Sequence, residues 1–191
     1  MKKQLQIKRT WLVSLIMMIL FASCCGVQMT KLSEQKKTVT SETIYVYPVH
    51  INPINKAEVY DTLLAKKMVA FINTQPGCKA VFVNRTPKTN AEWGINEAKM
   101  FRKSYNAFSD FIATDLKEGK YGMLVEFLET PHEIDVHYYV ANKISKKATM
   151  LCLVNSHHPI YKKINPKNEE DAFKLFCELF EQHVKHLTEV K

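Results

Sequence analysis

Apolar residues along this chain repeat with two different spacings, which predict strands and helices in alternation. The segment Thr43–Val49 is rich in β-branched and aromatic residues, as is typical of a strand, and Pro48 near its end limits pairing there. Asn55, followed by Glu58, predicts the start of a helix whose apolar residues recur at helical spacing. A turn sequence at Gln75–Gly77 ends that helix, and Lys79–Val83 follows as a short buried strand. We expect this strand–helix–strand segment to form a right-handed parallel unit.

The middle of the chain predicts a second helix and a central strand. Thr89 and Glu92 mark the start of the helix, which carries an apolar stripe and ends near Gly119. The segment Tyr121–Leu128 is apolar on both faces apart from Glu126. A strand with two apolar faces is buried on both sides, so we expect it to lie in the middle of the sheet.

Two more strands and a final helix complete the pattern. In Ile134–Val140, apolar residues alternate with polar or aromatic ones, which predicts a half-buried strand, and Thr149–Asn155 is the last strand. Asn168 begins the last helix, whose acidic first turn suits the helix dipole. The order β-α-β-α-β-β-β-α predicts a single α/β domain over residues 43–191, with a mixed five-stranded sheet packed with three helices.

The first residues have the layout of a secretory signal. Met1–Thr10 is polar and basic, and Trp11–Ala22 is an uncharged run much shorter than the ~20 residues that cross a bilayer. The run ends in small residues before Cys24. This segment resembles the lipobox of bacterial lipoproteins, apart from Phe21, where leucine is usual. The resemblance implies a signal peptide at residues 1–23, cleavage before Cys24 and a lipid on the Cys24 thiol, so that the membrane is one partner.

Other interpretations of this segment stay open. Cys25 is a second, poorer cleavage point, and an uncleaved membrane anchor or a soluble secreted protein would share the same layout. After Cys24, residues 24–42 are polar and have no apolar period, which predicts a flexible tether. By resemblance to known sorting signals, Cys25 in place of aspartate favours the outer membrane, facing the periplasm.

Charge and composition limit the classes of partner. The chain has 27 basic and 19 acidic residues. Cleavage before Cys24 would remove Lys2, Lys3, Lys8 and Arg9, which leaves a net charge of about +4. The remaining lysines are dispersed in small groups, so we expect no nucleic-acid partner and at most a weak attraction to an anionic membrane. With only 5 glycines, a glycine-rich nucleotide loop is not expected.

The order of elements also resembles a known group of domains. The strand Ile44–Val49 and the helix that contains Leu63–Met68 are similar to the amino-terminal TolB type of periplasmic domain and to related envelope accessory lipoproteins. The resemblance is one of element pattern and covers roughly Thr43–His186. It implies an adaptor that is not an enzyme and that docks onto another envelope protein. No functional residue carries over to a position in this chain.

The sequence contains no recognisable catalytic motif. It lacks a Gly-x-Ser-x-Gly elbow, a His-Glu-x-x-His pair and a phosphate-binding loop. His157 and His158 are adjacent after the last strand, but a zinc site needs three or four convergent ligands. We therefore predict no catalytic residue, no metal site and no cofactor, and we expect that the protein is not an enzyme.

Cysteines and aromatic residues leave further alternatives. The thiols of Cys78, Cys152 and Cys177 are either buried as small apolar groups or include a Cys152–Cys177 disulfide that joins the last helix to the sheet. The main hypothesis is a lipid-anchored adaptor. One alternative is a small-molecule or glycan-binding lipoprotein that uses the surface residues Trp93, Tyr139 and Tyr161 and the loop with His157 and His158. The other is a metal-dependent enzyme built on the same two histidines.

Overall fold

The computed structural model describes residues 42–54, 56–87, 89 and 97–189, with side chains as far as residue 185. The predicted signal peptide, Cys24 and the tether as far as residue 41 lie outside the described residues. The strands are β1 (Thr43–Val46), β2 (Val49–Pro53), β3 (Val59–Asp61), β4 (Lys79–Phe82), β5 (Tyr121–Glu129), β6 (Ile134–Asn142) and β7 (Ala148–Val154). The helices are α1 (Thr62–Ile72), α2 (Glu97–Asp115), α3 (Pro159–Ile164) and α4 (Glu169–Glu189). These elements form one mixed α/β domain, which confirms the predicted fold class.

The sheet is organised around β5. One edge of β5 pairs in parallel with both β1 and β2, and its other edge pairs antiparallel with β6. Beyond β1 lies β4 in parallel, beyond β2 lies β3 antiparallel, and β7 pairs with β6. The described sheet has seven strands. Strands β1 and β2 lie end to end along the same edge of β5, and β4 and β3 lie end to end on their outer side. The five predicted strands therefore correspond to five lines of strands, with the parallel unit and the central strand where the sequence predicted them.

The first predicted strand is interrupted at Tyr47 and Pro48. In β1, Ile44 lies opposite Tyr121, whereas in β2, His50 lies opposite Glu126, so the break adds one residue relative to β5. The Tyr47 amide still donates to Met123 O at 3.0 Å, but Pro48 has no N–H to continue the ladder. The predicted first strand over Thr43–Val49 is thus present, and pairing is limited at Pro48 as expected, but the chain resumes as the second strand β2 after the proline.

The break reverses which residues face each side of the sheet. Ile44 and Val46 of β1 and Val49 and Ile51 of β2 all belong to one apolar cluster, whereas Tyr47 belongs to the other. Even-numbered positions face the first cluster before the break and odd-numbered positions face it afterwards. As a result, His50 is placed on the opposite face from Val49 and Ile51.

Both faces of the sheet are covered by helices. The larger core, which includes Phe176 and Phe180, lies under α1 and α4. The other side, here called the α2 face, packs Phe108 and Ile112 of α2 against Leu124 and neighbouring strand residues. Because of α2, strands β5 and β6 are buried on both faces along most of their length. The prediction that β6 is half-buried was wrong for this reason.

Helix ends differ from the predicted ones where a short strand intervenes. Asp61 caps α1, accepting from the Leu64 amide at 2.8 Å, so this helix begins at Thr62 and not near Asn55. Asn55 and Glu92 lie outside the described residues, while Glu58 precedes the unpredicted strand β3. The described part of α2 starts at Glu97 and ends at Asp115, before Gly119.

The carboxyl-terminal part of the chain matches the prediction more closely. Asn168 accepts from the Asp171 amide at 2.9 Å and caps α4, as predicted. The short helix α3 was not predicted, and it begins at Pro159 after a cap by His158. Among the residues that the structure describes, no helix is both long enough and apolar enough to cross a bilayer.

Candidate functional site

A row of polar side chains crosses the α2 face of the sheet. His50 on β2, Glu126 on β5 and His137 on β6 are direct cross-strand neighbours. None of the three is more than 1% exposed. Buried polar groups are unfavourable unless they are hydrogen-bonded, so the partners of each residue determine whether the row stabilises the fold.

His50 is held between two carboxylates. Its Nδ1 lies 3.0 Å from Glu126 Oε1, and its Nε2 lies 2.8 Å from Glu58 Oε2. The ring also stacks on Tyr60, with 4.8 Å between the ring centroids. Burial alone would lower the pKa of His50, but hydrogen bonds and attraction from Glu126 and Glu58 outweigh it and raise the pKa. In the imidazolium form both ring nitrogens carry a hydrogen and donate to a carboxylate. In the neutral form one ring nitrogen would have no hydrogen to give to the carboxylate beside it.

Glu126 is also bonded to α2 through Ser104. The Ser104 hydroxyl donates to Glu126 Oε1 at 2.5 Å, and the Tyr139 hydroxyl lies 2.9 Å from Ser104 Oγ. Since Ser104 has one hydrogen and gives it to the carboxylate, Tyr139 is the donor in the second bond. Burial first, and then the nearby Glu126 charge, raise the pKa of Tyr139 well above its usual value. A continuous hydrogen-bonded chain thus runs from Tyr139 in the interior to Glu58 at the surface.

His137 connects the row to the first turn of α2. Its Nε2 lies 2.9 Å from Glu97 Oε1, and Asn155 Nδ2 donates to Glu97 Oε2 at 2.9 Å. Burial would raise the pKa of Glu97, but the bonds from His137 and Asn155 lower it overall. The edge of the Phe101 ring contacts His137, with 5.2 Å between centroids. These contacts join α2, β6 and the residue after β7.

Asp135 is the exception on this face. Its Oδ1 is buried and has no hydrogen-bond partner among the described residues. Burial, followed by the charges of Glu97 and Glu133, raises the pKa of Asp135 to about 7. At neutral pH a large fraction of this carboxyl is therefore protonated, unlike the neighbouring Glu97.

The polar row is suited to holding protons and fixing α2, and its geometry differs from that of a nucleophilic site. A serine nucleophile needs a basic nitrogen within hydrogen-bond reach. Both ring nitrogens of His50 face carboxylates, and the Ser104 hydroxyl donates to Glu126. These residues were not predicted as a site, because polar positions that alternate along a strand are typical of a solvent-facing surface. The one available signal was Glu126 in an otherwise apolar strand.

The two histidines considered as metal ligands from the sequence, His157 and His158, lie in the loop before α3 and at its cap. His157 is exposed, and His158 caps α3 with its Nδ1, which accepts from the Ile160 amide at 3.2 Å. That nitrogen is consequently occupied. Within the described part of the chain, no group of three or more His, Cys, Asp or Glu side chains is placed to hold a metal ion.

All three described cysteines are free thiols, so the Cys152–Cys177 disulfide is not formed. Cys152 is buried, and burial raises its pKa to about 12. Burial, with smaller effects of Glu170 and Glu181, raises the pKa of Cys177 to about 12 as well. Both side chains pack with the larger apolar core.

Aromatic residues expected at a surface pocket are in the interior. Tyr139 is fully buried and Tyr161 is only 2% exposed, with its hydroxyl accepting from the Ile134 amide at 3.1 Å. Trp93 lies outside the described residues. The expectation that Tyr139 and Tyr161 form a binding surface was wrong, because α2 and the start of β6 cover them.

A surface cleft of about 510 Å³ lies elsewhere, between the β5–β6 turn and the start of α4. Its lining residues, Glu129–Ile134 and Lys167–Glu170, include no tyrosine or tryptophan. Burial, together with the charge of Glu169, raises the pKa of Glu129, which Lys56 partly offsets. Four glutamates and one lysine among these residues make the cleft acidic, unlike the aromatic pocket that the glycan-binding alternative requires.

One edge of the sheet is open within the described residues. There, β7 pairs only with β6, and its sequence has no charged residue and no proline. A bulge at Thr149 shifts the register, since Val140 lies opposite Met150 but Ala141 lies opposite Ala148. On the other outer line of the sheet, β4 carries Lys79, and β3 is only 3 residues long. Charged residues, short length and bulges usually protect edge strands from pairing with other chains. Of these features, β7 has only the bulge.

Comparison with known proteins assigns neither a family nor a function to the chain. No family model matches the chain, and no curated protein matches it significantly. Among solved structures, the chain is weakly similar to TolB from Acinetobacter baumannii, with a TM-score of 0.33 and 15% sequence identity. The match covers 60% of this chain and 23% of the TolB chain. Similarity at this level assigns no function.

Proposed function

We propose that the protein is a lipid-anchored accessory protein of the bacterial envelope, not an enzyme, which binds an extended segment of another envelope protein along β7. The observation that supports the docking mode is the outer edge of β7, which is seven residues long, uncharged and without a pairing strand among the described residues. An extended peptide can add to such an edge through main-chain hydrogen bonds.

The side chains of β7 suit this mode. Met150, Cys152 and Val154 point into the larger core and fix the strand in place. Leu151 and Leu153 alternate with them on the α2 face and are only partly buried. A partner strand would gain affinity from the backbone of β7 and specificity from contacts beside Leu151 and Leu153.

The anchoring part of the proposal comes from the amino-terminal sequence. A lipid on Cys24 and the polar residues after it would hold the domain at the membrane, with outer-membrane placement facing the periplasm as the proposed location. Replacement of Cys24 by alanine tests this directly. We expect loss of processing and of the lipid by intact mass. A cleaved, membrane-bound product of unchanged mass would contradict the anchor.

Docking is tested by site-specific photo-crosslinking in intact cells. A photoreactive residue at Leu153 should capture one envelope protein in near-equal amount. The matched control is Val81 on β4, an apolar residue that is 43% exposed on the other outer line of the sheet. We expect Leu153→Lys to abolish capture from a neighbouring probe at Leu151, and Val81→Lys to leave it unchanged. Equal capture from Leu153 and Val81 would contradict docking at β7.

A further inference from the structure

Several elements meet at the end of the sheet where the described chain begins. The strand registers place Thr43 opposite Lys79, Ile44 opposite Tyr121, Tyr121 opposite Asn142, and Ala141 opposite Ala148. The β6–β7 turn and the segment between α2 and β5 therefore lie at this end. Lys143 Nζ connects them by donating to Leu116 O at 2.9 Å. This surface is called the basic end below.

The basic end has an excess of positive charge. Among the described residues of these strand ends, the turns between them and the last turns of α2, the carboxylates are Glu42, Asp110 and Glu118, apart from Asp115, which is paired with Arg85 at 2.7 Å. Two of these are in contact with lysines: Glu42 with Lys120 at 2.8 Å and Asp110 with Lys146 at 2.7 Å. Twice as many basic side chains are present, namely Lys79, Lys117, Lys120, Lys143, Lys146 and Lys147.

An exposed apolar residue lies among these lysines. Ile144 is 72% exposed at the tip of the β6–β7 turn. The turn is ordered by Asn142 Oδ1, which accepts from the amides of Ile144 and Ser145 at 2.9 and 3.1 Å. A fixed apolar tip surrounded by lysines matches the chemistry of an anionic bilayer surface, where the apolar group enters the headgroup region and the ammonium groups meet phosphates.

The opposite end of the sheet has the reverse character. Four glutamates, Glu129, Glu133, Glu169 and Glu170, line the cleft there, together with one lysine, Lys167. Carboxylates at this end would be repelled by an anionic surface. The charge distribution along the strands therefore favours one orientation of the domain on a negatively charged membrane.

We propose that the basic end lies against the anionic leaflet that holds the lipid on Cys24, with Ile144 in the headgroup region. This inference rests on the proposed lipid anchor, because the chain leads from the anchored cysteine to Glu42 at this same end. It also places β7 with its first residue near the membrane and its last residue away from it. The occupant of the basic end is the lipid surface itself.

Fluorescence quenching by brominated lipids measures this orientation. The acylated protein would be purified and reconstituted in vesicles of phosphatidylcholine with or without phosphatidylglycerol. Tryptophan is introduced as Ile144→Trp, or as His132→Trp at the exposed turn of the opposite end, and the parent protein provides the background of the native tryptophan. We expect at least about threefold stronger quenching at position 144 than at 132, only with phosphatidylglycerol.

A matched pair of charge variants tests the role of the lysines. Lys117→Glu with Lys147→Glu reverses two exposed charges at the basic end, and Lys56→Glu with Lys162→Glu makes the same net change elsewhere. Because each lysine near an anionic surface contributes about a fivefold factor in affinity, we expect the first pair to remove most quenching at position 144 and the second to preserve it. Equal quenching at 144 and 132, or no dependence on phosphatidylglycerol, would overturn the orientation.

The same samples separate this inference from the anchor. Co-sedimentation with vesicles and the intact mass report the lipid, independently of quenching. Protein that sediments with the acyl mass but shows no quenching at position 144 would overturn only the orientation. Protein without an acyl mass that does not sediment would overturn the anchor, and the orientation with it.

Discussion

The imidazole of His50 and the carboxylate of Glu126 form a buried pair between neighbouring strands, with 3.0 Å between Nδ1 and Oε1. Their side chains are 0% and 2% exposed. A pair with so little access to water depends on both partners, because removing one leaves the other buried without compensation.

Glu126→Gln should therefore lower the free energy of unfolding substantially. The variant keeps the shape of the side chain but loses the charge that faces His50, and we expect a loss of about 2–4 kcal/mol in urea denaturation. Glu58→Gln is the control, since the Glu58 side chain is 54% exposed on the other side of the same ring. It should cost less than about 1 kcal/mol. Equal losses in the two variants would show that burial of the His50–Glu126 pair is not the determining factor.

Asp135→Asn should stabilise the protein at alkaline pH. The pKa of Asp135 is raised to about 7 in the folded chain, above its ordinary value of 3.8. Between these two values the folded state retains a proton that the unfolded state has lost, so stability decreases as pH rises through this window. Because each pH unit between the two values corresponds to about 1.4 kcal/mol, removing the charge should add about 2–4 kcal/mol of stability at pH 8 and almost none at pH 4. Urea denaturation at both pH values measures the difference, and a pH-independent effect would contradict it.

His50 contributes a second decrease in stability at higher pH. Its pKa is raised on folding, so its stabilising contribution is complete below the ordinary value near 6.5 and is lost as pH rises through the raised value. In the Asp135→Asn variant, the remaining loss of stability above neutral pH should depend on Glu126. Combining Asp135→Asn with Glu126→Gln should flatten that part of the profile.

Gly122→Ala should destabilise the contact between β5 and α2. A Cβ at this position would lie 2.9 Å from Cγ2 of Ile112 and 3.4 Å from the Phe108 ring. Overpacking of this kind costs about 1–3 kcal/mol. The added methyl group should cost less in an Ile112→Ala background, because the space is then available. Additive losses in urea denaturation of the single and double variants would contradict direct contact.

The thiols of Cys152 and Cys177 should resist alkylation in the folded protein. Burial raises the pKa of each to about 12, so almost no thiolate is present at pH 8. We expect iodoacetamide to leave both unmodified in the native protein and to modify both in urea, as measured by peptide mass spectrometry. Cys78 and Cys177 are both partly buried, but burial raises the pKa of Cys78 less, so Cys78 should react first of the three. Recovery of a disulfide-linked Cys152–Cys177 peptide would contradict the free thiols.

Periodicity was sufficient to predict the elements that have one clear apolar pattern. The central position of β5 followed from its two apolar faces, and the start of α4 followed from the cap at Asn168 and its acidic first turn. Short elements were missed because their spacing is too brief to establish a period, as with β3 and α3.

The polar row could not be predicted, because it depends on how separate strands align. His50 and Glu126 are distant in sequence and become neighbours only through the register of β2 on β5. The alternation in β6 was correct as a pattern, but sequence alone did not show that α2 covers the face that contains His137. Whether a polar side chain is buried, and which groups it hydrogen-bonds, depends on the tertiary packing of strands and helices.

Because of the interruption at Tyr47 and Pro48, the fold depends more on the number of residues in this segment than on which residues they are. Deleting one residue there would turn β2 over, so that Val49 and Ile51 would face α2 and His50 would face the apolar core. A single-residue deletion would thus have the effect of several simultaneous core substitutions. A change of length in the exposed β6–β7 turn would leave the faces of the strands unchanged and would alter the basic end instead. The fold should accordingly tolerate length variation in that turn, whereas length variation between Val46 and Val49 should be excluded.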